Sequence, residues 1–420
     1  MVDTLEFIKR HREDDVRQLA LKRVPNEGID LPWALTQIAG WQAARRKIPS
    51  WAAIDNIVYP QHISMEQCSS DRTSEYKAKL IDDSCLAIAD SEVSFVDLTG
   101  GFGVDFVAIA KTLHQHASAV INHAVYVERS DELCTIARNN FPLLGVDAEV
   151  VCTTAEEYLH SLKHTNLLFV DPARRDGAGR KMVGIADCTP DILSLKDEML
   201  RKADMVMIKL SPMLDWHKAV ADLGECVHEV HIVSVDNECK ELLLIVRGER
   251  SEEKGERILY CVNDDDEVLR VELSSLETEG RVESRMAPPL EKGWSGFLYE
   301  PNASIMKSGC FAELCAKYGV SQIGKNSNLF VSDTMIDIFP GRKFVVEAVS
   351  SMNKREVKET LGDMKRANVA VRNFPMSAEE LRRRLKLTDG GDDYLFGTTL
   401  TDGSHCLLLC KKMLKNRFIF

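Results

Sequence analysis

The sequence predicts an α/β fold, with a seven-stranded, mostly parallel, Rossmann-like sheet, a helical region before it and a smaller α+β region after it. Three observations carry this. From Phe95 to Val246, short apolar runs of strand length alternate with segments of helical spacing, as in parallel sheets covered by helices on both faces. The first run passes through a glycine-rich turn, in FVDLTGGFGVD from Phe95 to Asp105, into the start of a helix. At 420 residues, the chain also exceeds what one hydrophobic core usually supports.

Residues 1–80 read as a helical N-terminal region. Leu5, Ile8, Val16, Leu19 and Leu21 give a loose apolar face, and Leu31, Leu35, Ile38 and Trp41 continue at near-helical spacing. Arg45, Arg46 and Lys47 followed by Pro49 mark a helix end, where cations suit the dipole and proline stops the helix. The next stretch, MEQCSSDRTSEYKAK, offers Ser69, Ser70 and Thr73 as N-caps. It reads as a capped surface helix.

The predicted sheet occupies residues 81–250. After the strand ending at Asp97, the strands are His123–Val127, Ala148–Cys152, Leu167–Val170, Met205–Leu210, Val227–Val235 and Leu242–Val246, the last two forming a hairpin. Glu249 to Glu256 is a charged linker. Residues 251–340 form a small α+β module opened by a hairpin of Arg257–Val262 and Val268–Leu273. Residues 341–420 return to alternation: strand FVVEAV, helix Lys354–Lys365, strand VAVRNF, helix Ala378–Leu385, then strands Tyr394–Thr399 and Leu407–Cys410.

Strand-to-glycine-turn-to-helix is the layout in which open sheets hold ligands, because unpaired N–H groups and a helix dipole face them. Gly100, Gly101 and Gly103 would equally serve an ordinary tight turn. A dinucleotide fingerprint G-x-G-x-x-G is excluded, because Phe106 stands where the third glycine belongs, and no G-x-x-x-x-G-K-[ST] loop occurs. Glu128 ends the second strand, where a carboxylate can accept both hydroxyl hydrogen bonds of a ribose. The fourth strand delivers Asp171-Pro172-Ala173-Arg174-Arg175, and the fifth Lys209-Leu210-Ser211-Pro212, at the carboxyl ends where chemistry sits. Asp171 is either a reacting group or a helix cap. Lys209 and Ser211 are candidate walls of a substrate pocket.

The net charge of −12 argues against a protein coated for nonspecific nucleic-acid binding. Its distribution is uneven: residues 351–420 hold 14 Lys and Arg against 9 Asp and Glu, and the first 350 residues hold 39 against 56. A basic end on an acidic body either solubilises a small domain or binds a polyanion. The 12 cysteines include no C-x-x-C pair, so reduced, buried thiols and no metal site are expected. No apolar run is long enough to span a membrane, and the charged start MVDTLEFIKRHREDD is unlike a secretory signal, which together predict a cytoplasmic protein with no membrane partner.

The acidic residue leading a G-G-x-G turn resembles motif I of class I S-adenosylmethionine-dependent methyltransferases. Asp171-Pro172 is similar to the start of motif IV of the amino-directed members, with Ala173 and Arg174 in place of its second proline and aromatic. Together with MEQCSS, DLTGGFG, DPARR and KLSP, the segment from EPNASI through PGRKF to RRRLKL resembles the bacterial methyltransferases that carry a C-terminal THUMP-like, ferredoxin-like domain. The resemblance implies S-adenosyl-L-methionine as cofactor, held by Asp97, Thr99, Gly100, Gly101, Gly103, Glu128 and Thr154. It implies Asp171 and Pro172 as catalytic residues, and Thr73, Tyr76 and Lys77, in the segment just before the first strand, as a lid over the cofactor. Since THUMP domains bind RNA, it also implies an RNA substrate, tRNA or rRNA, met by Arg174, Arg175, Lys209, Ser211, Arg382, Arg383 and Lys386. A small-molecule or protein methyltransferase, and a noncatalytic RNA-binding protein retaining the cofactor fold, are the alternatives.

Overall fold

A computed structural model describes residues 2–21, 28–85, 92–115, 120–174, 184–248, 256–264, 266–277 and 283–413. The chain divides into two compact units, Met1–Val235 with Lys240–Arg257 and Asp236–Cys239 with Ile258–Phe420. The charged linker expected at 249–256 lies, except for Glu256, outside the described residues.

The first unit opens with six helices: α1 Val2–His11, α2 Val16–Leu21, α3 Leu31–Lys47, α4 Pro49–Ala52, α5 His62–Gln67 and α6 Asp71–Cys85. The apolar face expected across the first two does not form as read. Leu19 is buried, but Leu21 is 87% exposed and Leu5 is also exposed, because the turn between α1 and α2 breaks the helical phase that would align them. Helix α3 ends where the basic trio predicts, and its last residue, Lys47, donates to the carbonyls of Met65 (3.1 Å) and Glu66 (2.5 Å) at the end of α5. Helix α6 is not a surface helix. Thr73, Ser74 and Lys77 are all buried, and Ser70 and Thr73 cap its start through two N–H to hydroxyl bonds of 3.2 Å.

Seven strands of this unit lie in the order β3-β2-β1-β4-β7-β9-β8. They are β1 Glu92–Asp97, β2 Val120–Glu128, β3 Glu149–Cys152, β4 Thr165–Val170, β7 Ala203–Leu210, β8 Val227–Val235 and β9 Glu238–Arg247, with β5 Ala173–Arg174 and β6 Cys188–Thr189 as a separate short ribbon. The first five are parallel and β9 runs antiparallel to β7. Helices α7 Val104–Gln115, α8 Asp131–Leu143, α9 Ala155–Ser161, α10 Ile192–Lys202 and α11 Trp216–Leu223 fill the connections. Register places Asp97 opposite both Tyr126 and Phe169, and Glu128 opposite Cys152. The carboxyl ends of β1, β2 and β4 therefore share one edge.

Phe106, the residue that breaks the dinucleotide fingerprint, is fully buried. It stacks on Phe95 (5.3 Å) and Phe141 (5.1 Å) and meets Tyr126 edge-on (5.6 Å). A glycine there would empty the centre of an aromatic cluster that backs the turn. The N-terminal helices join the same core: Trp51 and Tyr59 pack on Phe102, and the Asn140 amide accepts from the N–H of Val58 and donates to its carbonyl, both at 2.9 Å.

In the second unit, β10 Ile258–Asn263 and β11 Asp266–Glu272 form an antiparallel hairpin, followed by α12 Leu273–Glu277. A seven-stranded sheet then runs β13-β14-β12-β15-β18-β17-β16, from β12 Gly296–Pro301, β13 Ser321–Gln322, β14 Phe330–Ser332, β15 Gly341–Ser351, β16 Asn368–Arg372, β17 Asp393–Thr399 and β18 His405–Lys412. Helices α13 Ala303–Ser308, α14 Phe311–Tyr318, α15 Lys354–Leu361 and α16 Ala378–Leu385 complete it. Alternation along β17 sends Phe396 into one core with Phe344, and Leu395 into another with Leu381 of α16.

Phe106→Ala is expected to lower stability by about 3–5 kcal/mol, from lost burial plus a cavity among three aromatic rings, measured by guanidinium unfolding.

Candidate active site

The turn after β1 is fastened on all sides. Leu98 N–H donates to Phe169 O (3.0 Å), Thr99 N–H to the Asp97 carboxylate (2.9 Å), and Gly100 N–H to Val127 O (2.9 Å). Glu128 accepts from Gly101 N–H (3.0 Å) with one oxygen and from Ser130 N–H (2.8 Å) with the other. The Tyr126 hydroxyl donates to Gly101 O. Two glycines answer to different constraints. Gly101 has φ +56°, which side chains rarely adopt, although a Cβ there would meet only Thr99 O at 3.7 Å. At Gly100 a Cβ would fall 2.1 Å from the Tyr126 ring.

This edge opens into a cavity of about 740 Å³, within the range of small-molecule sites. The carboxyl ends of β1, β2, β4 and β7 line it, together with Thr154, Glu156, Thr189 and, from the segment before α6, Ser64 and Glu66 to Ser69; no described residue of α6 itself takes part. Burial pushes the Asp97 carboxyl well above its usual range, against the opposing Thr99 N–H, and the charges of Asp105, Asp171 and Glu128 add to the rise.

Asp171 follows β4, its N–H donating to the Thr99 hydroxyl (2.6 Å), and beyond Pro172 the residues Ala173 and Arg174 pair with Thr189 and Cys188. Its carboxylate takes the Lys209 ammonium at 2.5 Å. Lys209 Nζ also reaches Asp105 (3.3 Å), which accepts the Ser69 hydroxyl (2.7 Å). Behind them the Lys77 ammonium contacts both oxygens of Glu241 (2.6 and 2.7 Å). It also forms an ion pair with Asp105 Oδ1 at 3.2 Å, in an orientation that is not a hydrogen bond. Burial would raise the Asp105 carboxyl, but Lys77, Lys209 and Ser69 outweigh it and hold it below the usual range. Burial would lower Lys209, but Asp171, Asp105 and Glu241 hold it well above the usual lysine range. For Glu241 burial wins, and its carboxyl is raised despite both lysines.

Residues 341–412 match a family described as THUMP domain-like, and residues 297–340 one described as a ferredoxin-like domain. No curated protein matches the chain. Among solved structures, a protein of Porphyromonas gingivalis W83 with a provisional methyltransferase assignment is 30% identical, over 98% of this chain and 98% of that one, with a TM-score of 0.78. The chain belongs to that methyltransferase family. Two further structures are similar at a level that carries no argument. One, provisionally a class I S-adenosylmethionine-dependent methyltransferase of Listeria monocytogenes, is 10% identical over 63% of this chain and 94% of that one, with a TM-score of 0.41. The other, an rRNA methylase of Streptococcus thermophilus, is 14% identical over 41% and 96%, with a TM-score of 0.29.

The cofactor of class I methyltransferases is S-adenosyl-L-methionine, and the residues present fit it: a glycine turn lining the cavity, with Gly101 in the left-handed region at φ +56°, and a carboxylate, Glu128, with lone pairs left after its two backbone bonds. Asp97, Thr99, Gly100, Gly101, Gly103, Glu128, Thr154, Asp171, Pro172, Lys209 and Ser211 all line this cavity of the methyltransferase. Thr154 is also the N-cap of α9, in a capping box with Glu157, and the Ser211 hydroxyl accepts from Met213 N–H (3.3 Å). The Arg174 side chain and all of Arg175 lie outside the described residues. Arg382, Arg383 and Lys386 belong to the second unit. Arg382 is paired with Asp389 at 2.9 Å, whereas Arg383 and Lys386 are exposed.

The lid reading needs correction. Thr73, Tyr76 and Lys77 do not line the cavity; they are buried, with Tyr76 bonded to His231 (2.8 Å). Helical phase turns them toward the sheet, and the residues just before α6, Ser64 and Glu66 to Ser69, reach the cavity instead. Sequence reading also missed Asp105 and Glu241. Asp105 lies in the quoted turn motif, as a carboxylate in the first turn of α7. Glu241 directly precedes the apolar run Leu242–Val246 and follows Asp236, Glu238 and Lys240, so in sequence it reads as the last of a charged turn although it is buried.

Proposed function

We propose that this methyltransferase binds S-adenosyl-L-methionine in the cavity at the strand ends and methylates structured RNA, tRNA or rRNA, in the cytoplasm. The observation that carries the cofactor site is the convergence of the Gly100–Gly103 turn, Glu128 and Asp171 on one cavity. Glu128 would accept the ribose hydroxyls, Asp97 and the turn would face the amino-acid end, and Thr154 and Glu156 would border the adenine. When bound, the cofactor supplies a methyl group on a sulfonium.

The protein's contribution is placement. Asp171 already holds an ammonium at 2.5 Å, so it is a well-fixed acceptor. It suits orienting an N–H of the target nitrogen, with the Pro172 carbonyl beside it. RNA is supported by the THUMP-like match and by the basic composition after residue 350. Arg383, Lys386 and the arginines after Ala173 are the candidate phosphate contacts.

Calorimetry with S-adenosylhomocysteine tests the cofactor site. Wild type is expected to bind, and Glu128→Ala to lose about 1–3 kcal/mol as ribose hydroxyls lose their acceptor. Gly101→Val should also weaken binding, because φ +56° strains a branched side chain. Normal binding by both variants, or none by wild type at millimolar ligand, contradicts the site.

Arg383→Ala combined with Lys386→Gly, which suits the left-handed backbone at φ +59°, is expected to flatten the salt dependence of tRNA binding by about one unit of slope per lost phosphate contact. Arg382→Ala, which breaks the pair with Asp389, is expected to leave the slope unchanged. An unaltered slope in the double variant contradicts phosphate contact by these residues.

A further inference from the structure

Lys77 does not line the cavity, yet it is ion-paired with Asp105 and bonded to Ser69, which do. Its ammonium is fully buried and contacts Glu241, Asp105 and the Ser69 hydroxyl (3.3 Å). Asp105 shares Lys209 with Asp171. Three carboxylates thus share two ammoniums, from Glu241, almost without exposure, to Asp171, whose side chain is 35% exposed. Such a set is a poor way to stabilise a core, since hydrophobic replacement of a buried ion pair is commonly neutral or favourable.

We propose that Lys77 is a positioning residue for methyl transfer: by satisfying Glu241 and sharing Asp105, it leaves Lys209 available to hold Asp171 in place. This rests on the reading that Asp171 faces the transferred methyl. Glu241 already attracts Lys209 through space. Without the Lys77 charge, Glu241 and Asp105 compete with Asp171 for Lys209 and draw it away. Removing the Glu241 charge has the opposite effect, because Lys77 keeps Asp105 and Lys209 keeps Asp171. Both substitutions cut the Lys77–Glu241 pair, and Lys77→Met also cuts the pair with Asp105, so the readout that separates a positioning role from a purely structural one is where Lys209 goes, with the rate read beside it.

The test uses the full chain as Lys77→Met, Glu241→Gln and the double variant. In crystal structures, Lys209 Nζ is expected to leave hydrogen-bond reach of Asp171 in Lys77→Met and to stay in the other two. Single-turnover transfer of tritiated methyl from saturating S-adenosylmethionine to total RNA from cells lacking the gene is expected to fall roughly ten- to a hundredfold in Lys77→Met. It should remain near wild type in Glu241→Gln and the double variant, with S-adenosylhomocysteine affinity unchanged in all three. Equal rate losses in the two single variants, or Lys209 still on Asp171 in Lys77→Met, would overturn the proposal. Should Lys77→Met fail to fold, loss of rate or of the Lys209–Asp171 contact in Glu241→Gln overturns it. A wild type that transfers no methyl to this RNA refutes the RNA substrate instead, and the Lys209 position then decides the role of Lys77.

Discussion

Parallel strands place their carboxyl ends on one edge, and here three of those ends carry acids, Asp97, Glu128 and Asp171, with Asp105 one turn further on. These four carboxylates repel each other, and the repulsion adds to burial in raising the carboxyl of Asp97. Three different means contain it. Glu128 spends its charge on two backbone N–H groups. Asp171 and Asp105 share the Lys209 ammonium. Asp105 is further tied to Lys77 and Ser69. The site keeps its shape because each acid has a donor supplied by a different element of the first unit.

That requirement explains why the N-terminal helices belong to the same compact unit as the sheet. Lys77 lies on α6, and Ser69 lies just before it. Lys47, at the end of α3, holds the carbonyls that close α5, which leads into the cavity wall. Trp51 and Tyr59 seat Phe102 of the glycine turn. A helical region that composition suggests is a simple cap therefore supplies both a wall of the cavity and the buried cation behind it. The second unit contains the THUMP-like and ferredoxin-like matches within one continuous sheet.

Much of the fold was legible because each strand of the first unit is a short apolar run bounded by a turn. The end at Asp97, the Glu128 tip and the start of the DPARR loop fall where the pattern puts them. The cavity residues at strand ends were legible for the same reason. The α6 phase was not, since a helix rich in Ser, Asp, Arg and Glu reads as solvated unless its partners are known, and the partner of Lys77 is 164 residues away. Leu21 misled in the opposite direction, because one apolar residue cannot reveal that the turn before its short helix shifts the phase. The three consecutive arginines of α16 cannot all face one way, but which of them is held was not legible: Arg382 is tied to Asp389 and Arg383 is exposed.

The central claim is that this methyltransferase modifies RNA from the cavity at its strand ends. Nucleoside mass spectrometry of tRNA and rRNA from cells with and without the gene tests it most directly. The account predicts that one methylated nucleoside disappears on deletion and returns with the wild-type gene, but not with Asp171→Ala. Identical nucleoside profiles in both strains, or full restoration by Asp171→Ala, would contradict it.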